Sequence, residues 1–292
     1  MKIINSEQLN GNPTALYKVS IQGYEGSFHQ VAAREFFGND VEVICCPTFN
    51  EALRIAAGKN DCFGGVMAIE NSIAGSILGN YNLLRKSELH IVGEVYLEIR
   101  QNLLVNRGVQ LEDIQEVHSH PMAIQQCLKF LDKFNWKIVE ADDTAGSARS
   151  IQQQKSKHIA AIASTLAAEL YDLDIISPDI HTIRNNFTRF LILKNGGEVL
   201  PAEGANKATI TFYTDHSIGS LARVLTEIAD KKMNLSKLQS FPIPNTDWLY
   251  MFGADMEFEA IDQFYELIES LKPLTEEVKI YGIYKKGNTV KF

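Results

Sequence analysis

The sequence predicts an α/β fold for about the first two-thirds of the chain and a smaller βαββαβ unit for the rest. From about residue 18, short apolar runs alternate with amphipathic helical stretches, a pattern typical of mainly parallel strands joined by helices. A polar stretch rich in Gly and Pro, residues 194–206, ends this pattern and is predicted to be a linker. The length of 292 residues is sufficient for two domains, each with its own core.

The first part contains a regular series of strand-to-helix junctions. The predicted pairs are VSIQG with SFHQVAAREFFG, VICCP with TFNEALRIAAG, GVMAIENS with ILGNYNLLRKS, EVHSH with PMAIQQCLKFLDKF, KIVEADD with TAGSARSIQQQ, and HIAAIAS with TLAAELYDL. Ser27 with Gln30 and Thr48 with Glu51 fit the capping box, and Pro121 suits a first helical position. Such junctions gather at the carboxyl ends of strands, where helix N-termini offer N–H donors. The predicted ligand is therefore a small anion.

After the linker, a second pattern begins. Strand KATITFYT, helix GSLARVLTEIADKK, strands LSKLQSFPIP and WLYMFGADMEFE, helix AIDQFYELIESLKP and strand EEVKIYGIYK follow in that order. This βαββαβ series predicts a ferredoxin-like α+β domain with an antiparallel sheet. Units of this type bind or regulate more often than they catalyse, although fold alone does not fix function.

Composition and charge restrict the classes of function. A net charge of -8 argues against binding of nucleic acid, and the absence of GxGxxG and GxxxxGK[ST] argues against nucleotides. The four cysteines lack CxxC spacing and nearby ligand histidines, so we predict buried free thiols in a reducing compartment and no metal site. No signal-peptide core and no membrane-spanning run occur, which predicts a cytoplasmic protein.

Polar side chains that could bind a ligand or take part in catalysis cluster at the ends of predicted strands. They are Glu70, Asn71, Ser72, Ser119, His120, Asp142, Asp143, Thr188 and Arg189. Each has a simpler structural alternative. Glu70 suits a turn, and His120 before a proline suits a helix cap better than a catalytic base. The pair Asp142 and Asp143 suits capping and helix-dipole roles, and Thr188 suits a strand start.

Five motifs, in a fixed order along the chain, together favour a functional role for these residues. They are GYEGSFHQVAA at 23–33, GVMAIENSIAGSI at 65–77, HSHPMAIQQC at 118–127, AAIASTLAAELY at 160–171 and NNFTRFLIL at 185–193. In order and spacing they resemble the motif series of prephenate dehydratases. The segment after the linker resembles an ACT domain, a phenylalanine-sensing module often fused to this enzyme. The predicted domains are thus a catalytic domain over 18–195 and an ACT regulatory domain over 206–286.

The resemblance implies a two-lobed catalytic domain similar to periplasmic binding proteins. The chain is expected to cross between the lobes near EVYLEIRQNLL and again near IISPDIHTIRNN, which gives a second lobe over about residues 100–177. Thr188 then lies beside the return crossing and faces the cleft, a usual location for a small-ligand site.

The implied activity is that of a carbon–oxygen lyase in phenylalanine biosynthesis. Prephenate loses its ring hydroxyl as water and its ring carboxylate as carbon dioxide, and the ring becomes aromatic in phenylpyruvate. Such an enzyme must bind a dianion and help the hydroxyl leave, so no cofactor is expected. Two alternatives remain open: an arogenate dehydratase, whose substrate has an amino group in place of the keto oxygen, and a non-catalytic amino-acid-binding sensor. The joint presence of Thr188, Asn71 and Gln126 argues against the sensor.

Motif matching assigns a role to each candidate. The implied catalytic residues are Thr188, Glu70, Asn71 and Gln126, and the implied substrate-binding residues are Ser27, Ser72, Ser76, Ser119, Arg189 and Phe190. Because an aliphatic hydroxyl is a poor acid, we expect Thr188 to donate a hydrogen bond or to act in a relay with Glu70. Arg189 is expected either to bind a carboxylate bidentately or to brace the cleft wall.

The ACT-like segment departs from its family pattern. Gln239 to Pro242 read Gln-Ser-Phe-Pro where many relatives read Glu-Ser-Arg-Pro, and Ser220 replaces the alanine of Gly-Ala-Leu. The resemblance implies that L-phenylalanine binds between such segments of neighbouring subunits in a homodimer or homotetramer. The implied contacts are Ile218, Gly219, Ser220, Leu221, Asn234, Leu235, Ser236, Gln239 and Ser240. Phe241 equally suits interface packing.

Overall fold

The computed structural model describes residues 17–58, 61–215, 217–243 and 250–291. These residues form two compact units. The smaller unit combines Leu89–Glu94 with Gly196–Gly287, and the larger one combines residues 17–88, Val95–Asn195 and residues 288–291. As domain limits, 18–195 and 206–286 stay predictions.

The first lobe of the larger unit is built on a mixed sheet. Its described strands are β1 (Lys18–Gln22), β2 (Glu42–Cys46), β3 (Gly64–Asn71), β4 (Gly75–Ser76), the part of β5 (Leu89–Glu98) from Val95 onward, β11 (Phe187–Asn195) and β16 (Thr289–Val290). The order is β16-β5-β11-β3-β1-β2, with β4 against β3. β1 pairs in parallel with β2 and β3, whereas β11 returns antiparallel to β3. Helices α1 (Phe28–Phe37), α2 (Phe49–Ala56) and α3 (Leu78–Lys86) follow β1, β2 and β4.

The second lobe is built on a sheet of five described strands. They are β6 (Asn102–Asn106), β7 (Glu116–Ser119), β8 (Lys137–Glu140), β9 (Ile159–Ala163) and β10 (Leu173–Ser177), in the order β10-β6-β9-β7-β8. Helices α4 (Pro121–Leu131), α5 (Thr144–Gln154) and α6 (Thr165–Leu170) accompany them, with a 3-10 turn at Leu111–Asp113. The chain enters this lobe after β5 and leaves it before β11. The predicted two-lobed α/β architecture is confirmed.

Side-chain caps at the helix starts confirm most of the predicted signals. Thr48 Oγ1 accepts the Glu51 N–H (3.2 Å), which is the Thr48 half of the predicted capping box, and α4 begins at Pro121, as predicted. The capping box predicted for Ser27 and Gln30 was wrong, because Gln30 Oε1 accepts the Gly26 N–H instead (2.6 Å). The Ser27 N–H already donates to the Tyr24 carbonyl (3.1 Å).

The smaller unit has the predicted βαββαβ order. Its elements are β12 (Lys207–Tyr213), α7 (Ser220–Asp230), β13 (Asn234–Pro242), β14 (Tyr250–Glu257), α8 (Ile261–Leu271) and β15 (Glu277–Tyr284). The strands pair antiparallel in the order β13-β14-β12-β15. Phe212, Val224 and Phe264 are fully buried in the core between sheet and helices. The start of the predicted strand WLYMFGADMEFE, residues 248–249, lies outside the described residues.

Two smaller predictions need correction. The predicted linker overlaps β11, which continues to Asn195. All four cysteines are free, as predicted, but only Cys46 and Cys127 are buried: Cys62 is half-buried, and Cys45 is exposed because β2 lies at the edge of its sheet. None of the described helices combines the length and apolar character needed to cross a bilayer.

Candidate active site

A cleft of about 660 Å³ opens in the larger unit, and residues of both lobes line it. The first lobe contributes Ser27, Asn71 and Thr188, among others, and the second lobe contributes Gln126 and Asp143. A volume of this size suits one small ligand. The cleft is therefore the candidate active site.

The register of β11 against β3 decides which side chains face this cleft. Thr188 lies opposite Asn71, Arg189 opposite Glu70, and Phe190 opposite Ala68, with a bulge between the last two pairs. Opposed residues of an antiparallel pair share a face, and successive residues alternate between faces. Thr188 and Phe190 line the cleft, so Arg189 and its partner Glu70 lie on the other face.

Asn71 holds the Thr188 hydroxyl in place. Asn71 Nδ2 lies 3.0 Å from Thr188 Oγ1, 2.8 Å from Asn186 Oδ1 and 3.2 Å from the Phe187 carbonyl. Its Oδ1 accepts the N–H groups of Ile73 and Ala74, each at 2.9 Å. Because Thr188 Oγ1 is an acceptor in this bond, its own hydrogen remains for another partner. Within the described chain that hydrogen has no acceptor, and Thr188 lines the cleft.

Ser27 presents a second hydroxyl at the start of α1. It is 3% exposed, lines the cleft, and its Oγ has no hydrogen-bond partner within the described residues. A buried hydroxyl without a partner is costly unless a ligand satisfies it. The first-turn N–H groups of α1 add positive dipole at the same point. The combination suits a carboxylate.

Gly26 brings this helix start against the second lobe. Ser164 Oγ donates to the Gly26 carbonyl (2.5 Å), and Tyr171 Oη donates to the Glu25 carbonyl (2.8 Å). Gly26 has φ +84°, and a Cβ there would lie 2.7 Å from Ala167 Cα. Only glycine permits both this backbone conformation and this close approach.

Gln126 lines the cleft as part of an amide pair. Gln101 Nε2 donates to Gln126 Oε1 (3.3 Å), while Gln101 Oε1 is buried without a partner in the described chain. Gln101 also lines the cleft and is 3% exposed. The motif comparison missed it, although its position as a polar residue within the predicted first crossing, EVYLEIRQNLL, is a signal that could have found it.

Five predicted site residues lie outside the cleft lining: Glu70, Ser72, Ser76, Ser119 and Arg189. Ser119 Oγ donates to the Ile162 carbonyl (2.7 Å) and ties β7 to β9. Ser72 Oγ donates to the Asn185 carbonyl and accepts the Phe187 N–H (2.9 Å). Ser76 pairs with Glu70 across β4 and β3.

Of the two roles expected for Arg189, its position fits bracing of the cleft wall better than binding of a carboxylate. It is 4% exposed, and its guanidinium lies over the Tyr96 ring, 5.9 Å from the centroid. The His120 ring caps α4 by accepting the Met122 N–H at Nδ1 (3.2 Å). Asp143 caps α5 by accepting the Gly146 N–H (2.8 Å). These two caps agree with the simpler roles predicted for them.

The charges of the cleft lining are unusual for an anion site. No Lys or Arg lines the cleft in the described part of the chain, whereas Asp142 and Asp143 do. Burial raises the pKa of Asp143, and burial lowers the pKa of His29 to about 4. An anionic ligand therefore depends on neutral donors. No group of three His, Cys, Asp or Glu residues suited to a metal occurs among the described residues.

Comparison with known proteins gives a consistent family. Residues 19–198 match the family model "Prephenate dehydratase". A relative from Arabidopsis thaliana, "Arogenate dehydratase/prephenate dehydratase 2, chloroplastic", is 33% identical over 99% of this chain and 78% of its own.

Solved structures share the fold of the chain over most of its length. One described as "GqqA- a novel type of quorum quenching acylases" superposes with a TM-score of 0.83 and 27% identity, and the match covers 92% of this chain and 98% of that one. The prephenate dehydratase from Arthrobacter aurescens, in complex with L-Phe, gives a TM-score of 0.81 at 24% identity, over 94% and 92% of the two chains.

Proposed function

We propose, from the premise that the chain belongs to the prephenate dehydratase family, that prephenate reacts in the cleft between the two lobes of the larger unit. The chain is a carbon–oxygen lyase, and its reaction is the decarboxylating dehydration of prephenate to phenylpyruvate in L-phenylalanine biosynthesis. The observation that carries the location is the Thr188 hydroxyl, which Asn71 holds with its hydrogen available to the cleft.

Thr188 assists departure of the ring hydroxyl in this proposal. Its O–H donates a hydrogen bond to the leaving oxygen, on which negative charge develops as the carbon–oxygen bond breaks. Asn71 keeps the donor in position, because the hydrogen bonds of its own side chain are all made to protein groups and do not need the substrate. A relay through Glu70 has no support in the register of β3 and β11, so we do not retain it.

Ser27 and the first turn of α1 bind the carboxylate of the pyruvyl side chain. This carboxylate is retained in the product, so strong binding does not oppose the reaction. The ring carboxylate leaves as carbon dioxide, and stabilising its charge in the ground state would slow its departure. Phe28, Phe49 and Phe190 give the cleft an apolar surface for the ring. Gln126 borders the same cavity and contributes to substrate contact together with Gln101.

Arogenate dehydratase is a second candidate function, favoured by one observation. Asp142 and Asp143 line the cleft, and no Lys or Arg does so in the described chain. Carboxylates suit the ammonium of arogenate better than the keto group of prephenate. The test is a comparison of kcat/KM for prephenate and arogenate with the same preparation. Turnover of neither substrate would contradict the proposed function.

The smaller unit is proposed to be an ACT regulatory domain that binds L-phenylalanine in a homodimer or homotetramer. The βαββαβ order and the resemblance of the segment support this role. Gly219 has φ +82° and precedes α7, and β13 is an edge strand of its sheet. The proposed contacts are Ile218, Gly219, Ser220, Leu221, Asn234, Leu235, Ser236, Gln239 and Ser240. A cytoplasmic location stays a prediction.

A further inference from the structure

The cleft contains an imidazole, His29, that the roles above do not use. Its ring lies between Phe49 and Phe190, with centroid distances of 5.4 Å and 5.1 Å. The Ala68 N–H donates to His29 Nε2 (3.3 Å). Phe49, Phe190, Ala68 and His29 all line the cleft. Backbone and aromatic contacts thus fix the orientation of this ring in the cleft wall.

The contact with Ala68 also fixes the hydrogen of the ring. A neutral imidazole has one acceptor nitrogen and one N–H, and here the acceptor is Nε2. The hydrogen must therefore reside on Nδ1. Within the described chain Nδ1 has no hydrogen-bond partner, and His29 lines the cleft. The Nδ1–H is the donor that His29 offers to the cleft.

The ring stays neutral at physiological pH. Burial lowers the pKa of His29 to about 4, and protonation would place a hydrogen on Nε2, opposite the Ala68 N–H. His29 is consequently a donor of fixed direction without a positive charge.

We propose that His29 binds the side-chain carboxylate of the substrate through Nδ1–H, beside Ser27 and the first turn of α1. His29 is the second residue of α1, two positions after Ser27, so its donor belongs to the same end of the helix. The inference rests on the proposed function. It makes the carboxylate site a cradle of neutral donors, in a cleft whose described lining contains no Lys or Arg.

A contact with a retained group affects substrate and product alike. We expect His29→Phe to raise the KM for prephenate and the Kd for phenylpyruvate together, by about ten- to a hundredfold, the range for one lost hydrogen bond to a charged group. The change in kcat is expected to be much smaller. His29→Asn keeps an N–H near the Nδ1 position and loses the contact with Ala68, so it is expected to keep most of the affinity.

Each of the following results would overturn the inference. A lower kcat with unchanged affinity for phenylpyruvate would place His29 at a departing group. Equal losses in His29→Phe and His29→Asn would make the Ala68 contact, and not the Nδ1–H, the source of the effect. Nitrogen NMR of the wild-type histidines at pH 7 is expected to show Nδ1 protonated and Nε2 bare, and a cationic ring or the other tautomer would contradict this.

Separate control experiments test the folding of each variant and the activity of the wild-type protein. Thermal unfolding of each variant shows whether it folds. If His29→Phe does not fold, His29→Gln replaces it, because glutamine keeps an acceptor for the Ala68 N–H. Wild-type protein that fails to convert prephenate would overturn the proposed function as well. Wild-type turnover with an unaffected His29→Phe would overturn this inference alone.

Discussion

At position 188 a hydroxyl, and not a carboxylic acid, faces the cleft from β11. Thr188 is 8% exposed and receives a hydrogen bond from Asn71 at 3.0 Å. An aliphatic alcohol is too weak an acid to give up its proton early. In the proposed mechanism its contribution is therefore a hydrogen bond that strengthens as charge develops on the leaving oxygen.

Removal of this hydroxyl is expected to act on the chemical step. Thr188→Ala should lower kcat by roughly 10² to 10⁴, with little change in KM, because the lost bond is stronger in the transition state than in the ground state. Thr188→Ser keeps the hydroxyl and should retain much more activity. Steady-state kinetics of both variants provide the measurement. A higher KM at constant kcat would make Thr188 a ground-state binder.

The sequence predicted some of these residues and misplaced others for a clear physical reason. Motif matching identified Ser27, Asn71, Gln126, Thr188 and Phe190, which the structure brings together around one cleft. A motif does not specify register. The bulge in β3 opposite β11 sets which side chains face the cleft, and it places Glu70 with Arg189 on the other face. Long-range pairing of this kind is not encoded in a local pattern.

At the scale of elements, the turn before α1 links the two lobes, because side-chain hydroxyls of the second lobe donate to its backbone carbonyls. The sequence predicted the start of α1 at Ser27, whereas the capping box was wrong because the Ser27 N–H bonds to Tyr24 and Gln30 bonds to Gly26. The Ser27 hydroxyl is left without a hydrogen-bond partner in the described chain. A deviation from local capping rules at a ligand site is expected, since functional sites often violate such rules.

Gly26 and Gly108 offer a matched test of this turn. Both have positive φ, +84° and +80°, but a Cβ at Gly108 meets no atom within 4 Å, whereas at Gly26 it meets the Ala167 backbone. Gly108→Ala should cost about 1–2 kcal/mol of unfolding free energy from the left-handed conformation. Gly26→Ala should cost about 1–3 kcal/mol more, from overpacking, and should also raise KM. Urea unfolding and kinetics measure both effects, and equal costs would contradict the close approach.

At the scale of the whole molecule, one strand belongs to both compact units. β5 begins in the smaller unit at Leu89 and ends in the larger unit at Glu98, shortly before Gln101 in the cleft. Within the smaller unit, Glu94 and Lys207 form a buried ion pair, with Nζ 2.9 Å from Oε1. Loss of one partner of such a pair leaves a buried charge, so the pair fixes the two segments together. The chain itself thus provides a continuous connection between the smaller unit and the cleft.

Phenylalanine is expected to bind the smaller unit and to lower activity, with a modest affinity. The first-turn N–H groups of α7 after Gly219 offer donors to an amino-acid carboxylate, independently of the flanking side chains. Gln239, in place of an acidic residue, removes a charged acceptor, and one such bond is worth about 1.5–3 kcal/mol, roughly ten- to a hundredfold in affinity. Inhibition also requires that phenylalanine bind a less active arrangement of the proposed oligomer more tightly than the active one.

Calorimetric titration of phenylalanine, run beside the rate assay and light scattering, tests this prediction on the intact chain. Asn234→Ala, at the start of β13, should weaken both binding and inhibition, because it removes a polar group from the proposed site. Ser270→Ala, at the C-terminal end of α8 and outside that site, is the control and should leave both unchanged. Reciprocity of coupling requires the affinity for phenylalanine to fall when substrate or phenylpyruvate occupies the cleft. If millimolar phenylalanine neither binds nor inhibits, this unit responds to another ligand or serves assembly alone.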